Sequence, residues 1–123
     1  MDEGVFELGV PVLGICYGMQ LMAHLLGAPV ERGTRREYGR TDVTMDRVDG
    51  GLLAGLRPQS PCWMSHTYQV TCPPEGFVAI AHTADCPVAA MADDARRLYG
   101  VQFHPESVLT PDGRKMIENW LKI

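Results

Sequence analysis

The 123-residue sequence has no apolar run approaching the roughly 20 residues that a membrane helix needs. Its opening residues, Met1-Asp2-Glu3-Gly4, are acidic and unlike the basic start of a secretory signal. Positive charge is scarce: 11 Lys and Arg against 15 Asp and Glu leave a net charge of −4. That balance offers no electrostatic basis for holding nucleic acid or an anionic lipid surface. The one basic cluster, Arg32, Arg35, Arg36 and Arg40, fits a solvated loop better than a phosphate site. The four cysteines, Cys16, Cys62, Cys72 and Cys86, include no C-x-x-C pair and no metal-ligand rhythm with the four histidines, so no metal site is expected. Free thiols in a cytoplasmic protein follow as the expectation. A two-disulfide framework also fits the count, but it would consume Cys16.

With 46% apolar residues, the chain has the makings of one domain with a modest core. Its most informative segment is Gly14-Ile15-Cys16-Tyr17-Gly18. The apolar run Val10–Ile15 reads as a strand buried on both faces, and Met19, Met22, Ala23 and Leu26 recur at helical spacing after it. A Gly-x-nucleophile-x-Gly sequence at such a junction is a tight strand-to-helix bend in which bulk at either flank would strike neighbouring backbone. Cys16 would then stand at the carboxyl end of a strand, with the dipoles of the following helix favouring its thiolate. An inert, buried cysteine fits the motif equally well when it is taken alone.

The remaining pattern is α/β. Asp2–Leu8 reads as the tail of a helix, Tyr17–Leu26 as a helix, and Pro29–Arg32 and Arg40–Asp46 as two separate strands. Gly50-Gly51 marks a turn before a helical turn at Leu52–Leu56, and Pro58–Pro61 a loop leading to a strand end that delivers Ser65-His66. Pro73–Gly76 is a turn; Phe77–Ala81, Val88–Met91 and Leu98–Phe103 are strands, with a hairpin-like break at Asp93-Asp94. A final helix opens at Pro111–Gly113, with Met116, Ile117, Trp120 and Leu121 as its apolar face. A parallel strand–helix unit followed by antiparallel strands is the expected layout.

The second chemical signal is His104-Pro105-Glu106, directly after the last strand. Residues two apart in extended backbone share a side, so the carboxylate can orient the imidazole and stabilise the imidazolium formed on proton uptake. Cys16 and His104 both follow strands at their carboxyl ends, where sites collect in open α/β sheets. His66 belongs near the same pocket, whereas His24 and His82 read as structural or solvated.

Pro11–Gln20, around Gly14-Ile15-Cys16-Tyr17-Gly18, and Tyr99-Gly100-Val101-Gln102-Phe103-His104-Pro105-Glu106 resemble the nucleophile and histidine–glutamate segments of the class I glutamine amidotransferases. Arg36–Gly39, Trp63–His66 and Cys86–Met91 make the resemblance strongest to the glutaminase domains of GMP synthases, over about Phe6 to Leu121. The resemblance implies an open sheet with flanking helices that lacks the family's first strand–helix units, so residues 1–123 would form a partial amidotransferase domain. It implies Cys16 as nucleophile, His104 as base, Glu106 as its orienting carboxylate, and the Tyr17 backbone amide as half of an oxyanion hole. It further implies that Gly18, Gln20, Ser65 and His66 bind substrate, which is L-glutamine.

No Gly-Gly-Pro loop, the family's second oxyanion donor, occurs in these residues. Losing one such donor costs about 10²–10³ in turnover in a well-studied hydrolase. A truncated, inactive binding or oligomeric module is therefore the alternative, with association through an exposed sheet edge. No Ser-Gly-Gly phosphate loop occurs either, so no cofactor is expected here. ATP and Mg²⁺ would belong to an ATP-pyrophosphatase (synthetase) domain or subunit that takes the ammonia to aminate XMP to GMP. Tyr68-Gln69 stands where close relatives carry an aspartate. Glu106–Thr110 is more like the glutaminase subunit of anthranilate synthase, which stands as a second possibility.

Overall fold

The computed structural model describes Gly4, residues 9–107 and residues 109–123. Apart from Gly4, the helical tail expected over Asp2–Leu8 lies outside the described residues. In chain order the elements are β1 (Val12–Ile15), α1 (Tyr17–Leu25), β2 (Val30–Met45), a 3-10 turn (Gly51–Leu53), β3 (Gln59–Val70), β4 (Val78–His82), β5 (Ala90–Asp93), β6 (Leu98–Val101) and α2 (Gly113–Leu121).

Among the described residues six strands form one sheet in the order β1-β6-β5-β4-β2-β3. β1 and β6 are parallel, with Ile15 opposite Val101, and the other pairs are antiparallel. The parallel pair matters for function because it brings two carboxyl ends to the same rim of the sheet.

Strand alternation sorts the core onto two faces. Met91 of β5 and Leu98 of β6 join Met19, Met22 and Ala23 of α1 in one cluster. Their neighbours Ala90, Ala92, Tyr99 and Val101 join Leu52, Leu53, Phe103 and Met116 of α2 in the other. Helices therefore cover both faces of the sheet.

Several expectations are corrected. The strands expected at Pro29–Arg32 and Arg40–Asp46 are one continuous strand, β2, whose polar middle pairs along β3 with a register irregularity between Arg32 and Glu37. Backbone pairing, invisible to apolar periodicity, carries the strand through that middle. The loop expected at Pro58–Pro61 ends early, and Pro61 lies inside β3 opposite Asp42. β3 is an edge strand, where a residue without an N–H is tolerated. Ser65-His66 thus sits within a strand rather than at its end.

On α2 the buried stripe is Gly113, Met116 and Asn119, with Trp120 partly buried, while Leu121 is 70% exposed. Asn119 joins the stripe because its amide donates to the Leu52 and Ala54 carbonyls at 2.9 and 3.0 Å, tying α2 to the 3-10 turn.

Candidate active site

The turn between β1 and α1 is as sharp as its sequence implies. Cys16 has φ 54° and ψ −108°, a conformation that non-glycine residues rarely adopt and that costs on the order of 1–3 kcal/mol. Its N–H donates to Val101 O at 2.7 Å, and its carbonyl accepts from Gln20 N at 3.2 Å as α1 begins. Neighbouring β6 and the first helical turn thus hold the bend from both sides. Gly14 is required by close approach: a Cβ there would lie 2.9 Å from the Gly18 carbonyl and the Met19 nitrogen. Gly18 differs from expectation, since a Cβ there would meet nothing within 4 Å among the described residues.

The His104 segment follows β6 beside the same rim. Its N–H donates to Trp63 O of β3 at 3.0 Å, and its carbonyl accepts from Ser107 N at 3.2 Å. His104 Nδ1 lies 2.6 Å from Glu106 Oε1. A carboxylate can only accept, so Nδ1 is the donor, and the neutral ring then keeps its basic lone pair on Nε2. The expected pairing across Pro105 is therefore formed. Among the described residues, the partners of Cys16 Sγ are Ser65 O at 3.5 Å and Gln102 Nε2 at 3.6 Å, and His104 is not one of them.

Burial pushes the Cys16 thiol above its ordinary value. The Tyr17 backbone amide and the Gln102 amide act in the other direction, and the Glu106 charge adds to the rise. The expected pull of the helix start toward the thiolate is present in the Tyr17 amide, but it does not set the net direction. Partial desolvation outweighs the donors at the helix start, so the resting group is the neutral thiol.

The other expected residues gather beside α1. Gln20 Nε2 donates to the Tyr68 carbonyl at 2.7 Å, and His66 Nδ1 lies 3.1 Å from the same oxygen. A cavity of about 270 Å³ is lined by Tyr17, Gln20, Leu21, His24, Val30 and Tyr68. Gly18, Ser65 and His66 are not in its wall. His24, read as structural or solvated, is exposed on that wall. His82 pairs with Asp46 at 2.8 Å, away from these residues, and all four cysteines are free thiols. Gln102 had no role assigned from sequence. Its only signal was its place two residues before His104, which cannot reveal the sulfur contact.

Comparison with known proteins bears on the whole chain. The family model for class-I glutamine amidotransferases matches residues 1–123. GMP synthase [glutamine-hydrolyzing] of Acetivibrio thermocellus is 56% identical over 120 residues, covering 98% of this chain and 23% of that protein. The enzyme of the same name from Clostridium perfringens is 57% identical over 121 residues, covering 98% and 24%. The chain thus spans about a quarter of the length of these relatives. Among solved structures, a candidate GMP synthase subunit from Thermoplasma acidophilum superposes with a TM-score of 0.91 at 30% identity, over 96% of this chain and 59% of that one. A glutamine amidotransferase from Thermotoga maritima superposes at 0.78 with 23% identity, over 98% and 49%, which bears on the fold alone. On the family match and these likenesses, the chain belongs to the class-I glutamine amidotransferases.

Proposed function

We propose that the chain is a glutaminase module of GMP synthase type, with Cys16 as nucleophile, His104 as base and Glu106 as the carboxylate that orients it. The observation that carries this reading is the His104–Glu106 pair at 2.6 Å, following β6, whose Val101 carbonyl holds the Cys16 bend at 2.7 Å. Its support is the 56% and 57% identity to glutamine-hydrolysing GMP synthases.

The resting thiol is neutral, so attack needs a base to take its proton. In this reading Sγ attacks the side-chain carbonyl carbon of glutamine while His104 accepts the thiol proton. The oxyanion receives the Tyr17 N–H at the start of α1. The C–N bond then breaks, and the nitrogen leaves as ammonia with the proton from His104. A γ-glutamyl thioester remains. Water adds to it as His104 takes a water proton; the C–S bond breaks, the sulfur regains the proton and glutamate departs. Two acyl transfers replace one difficult amide cleavage.

The wider reading has an ATP-pyrophosphatase partner that receives the ammonia and aminates XMP to GMP. ATP and Mg²⁺ would serve that partner, and no cofactor is assigned to this module. Among the described residues β1 and β3 are the edges of the sheet, and self-association through an exposed edge is the oligomeric form that suits this architecture.

Glutamine hydrolysis by the chain with its synthetase partner present tests the assignment. Cys16→Ala is expected to bring ammonia release down to background, and equal rates for the variant and the parent would sink it.

A further inference from the structure

Gln102 lies one residue beyond β6 and is fully buried. A buried carboxamide brings two donor hydrogens and an acceptor oxygen that need partners. The Gln102 backbone is placed by its N–H, which donates to Ala89 O at 2.8 Å. Its side chain reaches the centre of the candidate site. Oε1 accepts from Gln20 Nε2 at 3.2 Å, and Nε2 lies 3.6 Å from Cys16 Sγ.

The orientation of this amide follows from its neighbours. Gln20 Nε2 also donates to the Tyr68 carbonyl at 2.7 Å, so that end of Gln20 is a donor. Turning Gln102 over would set two NH₂ groups face to face and present a carbonyl lone pair to the sulfur. Gln20 Nε2 thus donates both to the Tyr68 carbonyl and to Gln102 Oε1, which leaves the Gln102 N–H directed at Sγ.

We propose that Gln102 is a catalytic residue: its side-chain N–H, aimed by Gln20, holds the Cys16 sulfur whenever that atom carries negative charge. This rests on the reading of Cys16 as the nucleophile. The sulfur is anionic twice, as it attacks the amide carbon and again as it leaves the thioester. A donor already in place at both moments stabilises it without reorganisation. Few other groups facing Cys16 can do this. The Tyr17 amide also favours the anion, the Ser65 carbonyl favours the protonated thiol, and Glu106 opposes charge on the sulfur; His104, in the reading proposed above, takes the proton. Hydrogen bonds to charged groups are about twice as strong as neutral ones, so the contact matters most in the charged state.

The test is the pH dependence of Cys16 alkylation by iodoacetamide in the whole chain, read peptide by peptide so that exposed Cys72 does not interfere. In Gln102→Met, a nearly isosteric change, the midpoint is expected to rise by about one pH unit, roughly tenfold less thiolate at a pH below both midpoints. In Gln20→Met, which leaves Gln102 but frees its amide to turn, a smaller rise is expected. A midpoint unchanged from the parent in folded Gln102→Met overturns the proposal. If that variant does not fold, an unchanged midpoint in Gln20→Met overturns it. Alkylation needs no turnover, so this outcome is separate from the Cys16→Ala hydrolysis result that tests the nucleophile itself.

Discussion

Cys16 combines a strained backbone with a half-buried sulfur whose partners are the Ser65 carbonyl of β3 and the Gln102 amide just beyond β6. Burial raises its titration above the ordinary thiol value of 9.0, and the Tyr17 and Gln102 donors only partly offset this. The thiolate is therefore the minor form at neutral pH, and its population grows as pH rises. Alkylation of Cys16 in the parent should accelerate from neutral pH upward with a midpoint above 9.0. A midpoint near 7 or below would show that donors, not burial, dominate. The glutamine hydrolysis profile reports the Cys16–His104 pair rather than either group alone. At this scale the sequence was informative about residue types. Cys16 between two glycines, and His104 two residues from Glu106, were legible as candidates because their chemistry is local. Gln102 was not, because its contact with Sγ spans 86 positions and exists only once β1 and β6 lie side by side.

The segment after β6 reaches α2 through a chain of short turns. Ser107 N donates to His104 O, Thr110 N to Ser107 O, and Gly113 N to Thr110 O. β3 clamps this segment at one residue, where Trp63 O accepts from His104 N and Trp63 N donates to Thr110 Oγ1 at 2.9 Å. α2 closes it from the other side. A Cβ on Gly113 would collide with the Pro105 carbonyl, so only glycine lets the helix start against the backbone between His104 and Glu106. Gly113→Ala should destabilise the fold by about 1–3 kcal/mol, the usual range for overpacking. It should lower kcat for glutamine more than it changes KM, because the pair moves while the cavity beside α1 does not. Urea unfolding together with steady-state kinetics would check this, and parent-like values in both would refute the clamp. Elements whose signal is apolar periodicity, such as α1 and the β5–β6 hairpin, were legible in the chain. The polar middle of β2, Pro61 within β3 and the exposure of Leu121 were not. Pairing along an edge strand and docking on the 3-10 turn decided those.

Across the whole molecule, the sheet separates two cores, and the larger one carries a buried thiol. Cys62 is pushed up to about 12 from 9.0 by burial first and then by the Asp112 and Asp42 charges. A thiol held protonated in the fold but free to ionise once unfolded contributes stability that is whole below pH 9.0 and drains away as pH rises toward 12. Tyr99, likewise raised to about 12 from 10.0 by burial and its hydrogen bond to Asp94, adds to the same alkaline loss. Cys62→Ala should be less stable than the parent near pH 7, by about 1 kcal/mol for the small cavity, with the gap narrowing as pH climbs above 9.0. Denaturant midpoints taken across that range would show parallel curves if the Cys62 linkage were absent. By itself the sequence determined the family, the α/β layout with its parallel opening, and the candidate residues Cys16, His104 and Glu106. These rest on local spacing, which a chain carries before it folds. Only the tertiary structure decided that Gln102 reaches the sulfur, that burial outweighs the helix start at Cys16, and that Gly113 sets the seat of His104. Each of these depends on residues far apart in sequence sharing one small, partly dry volume, and periodicity holds no record of that.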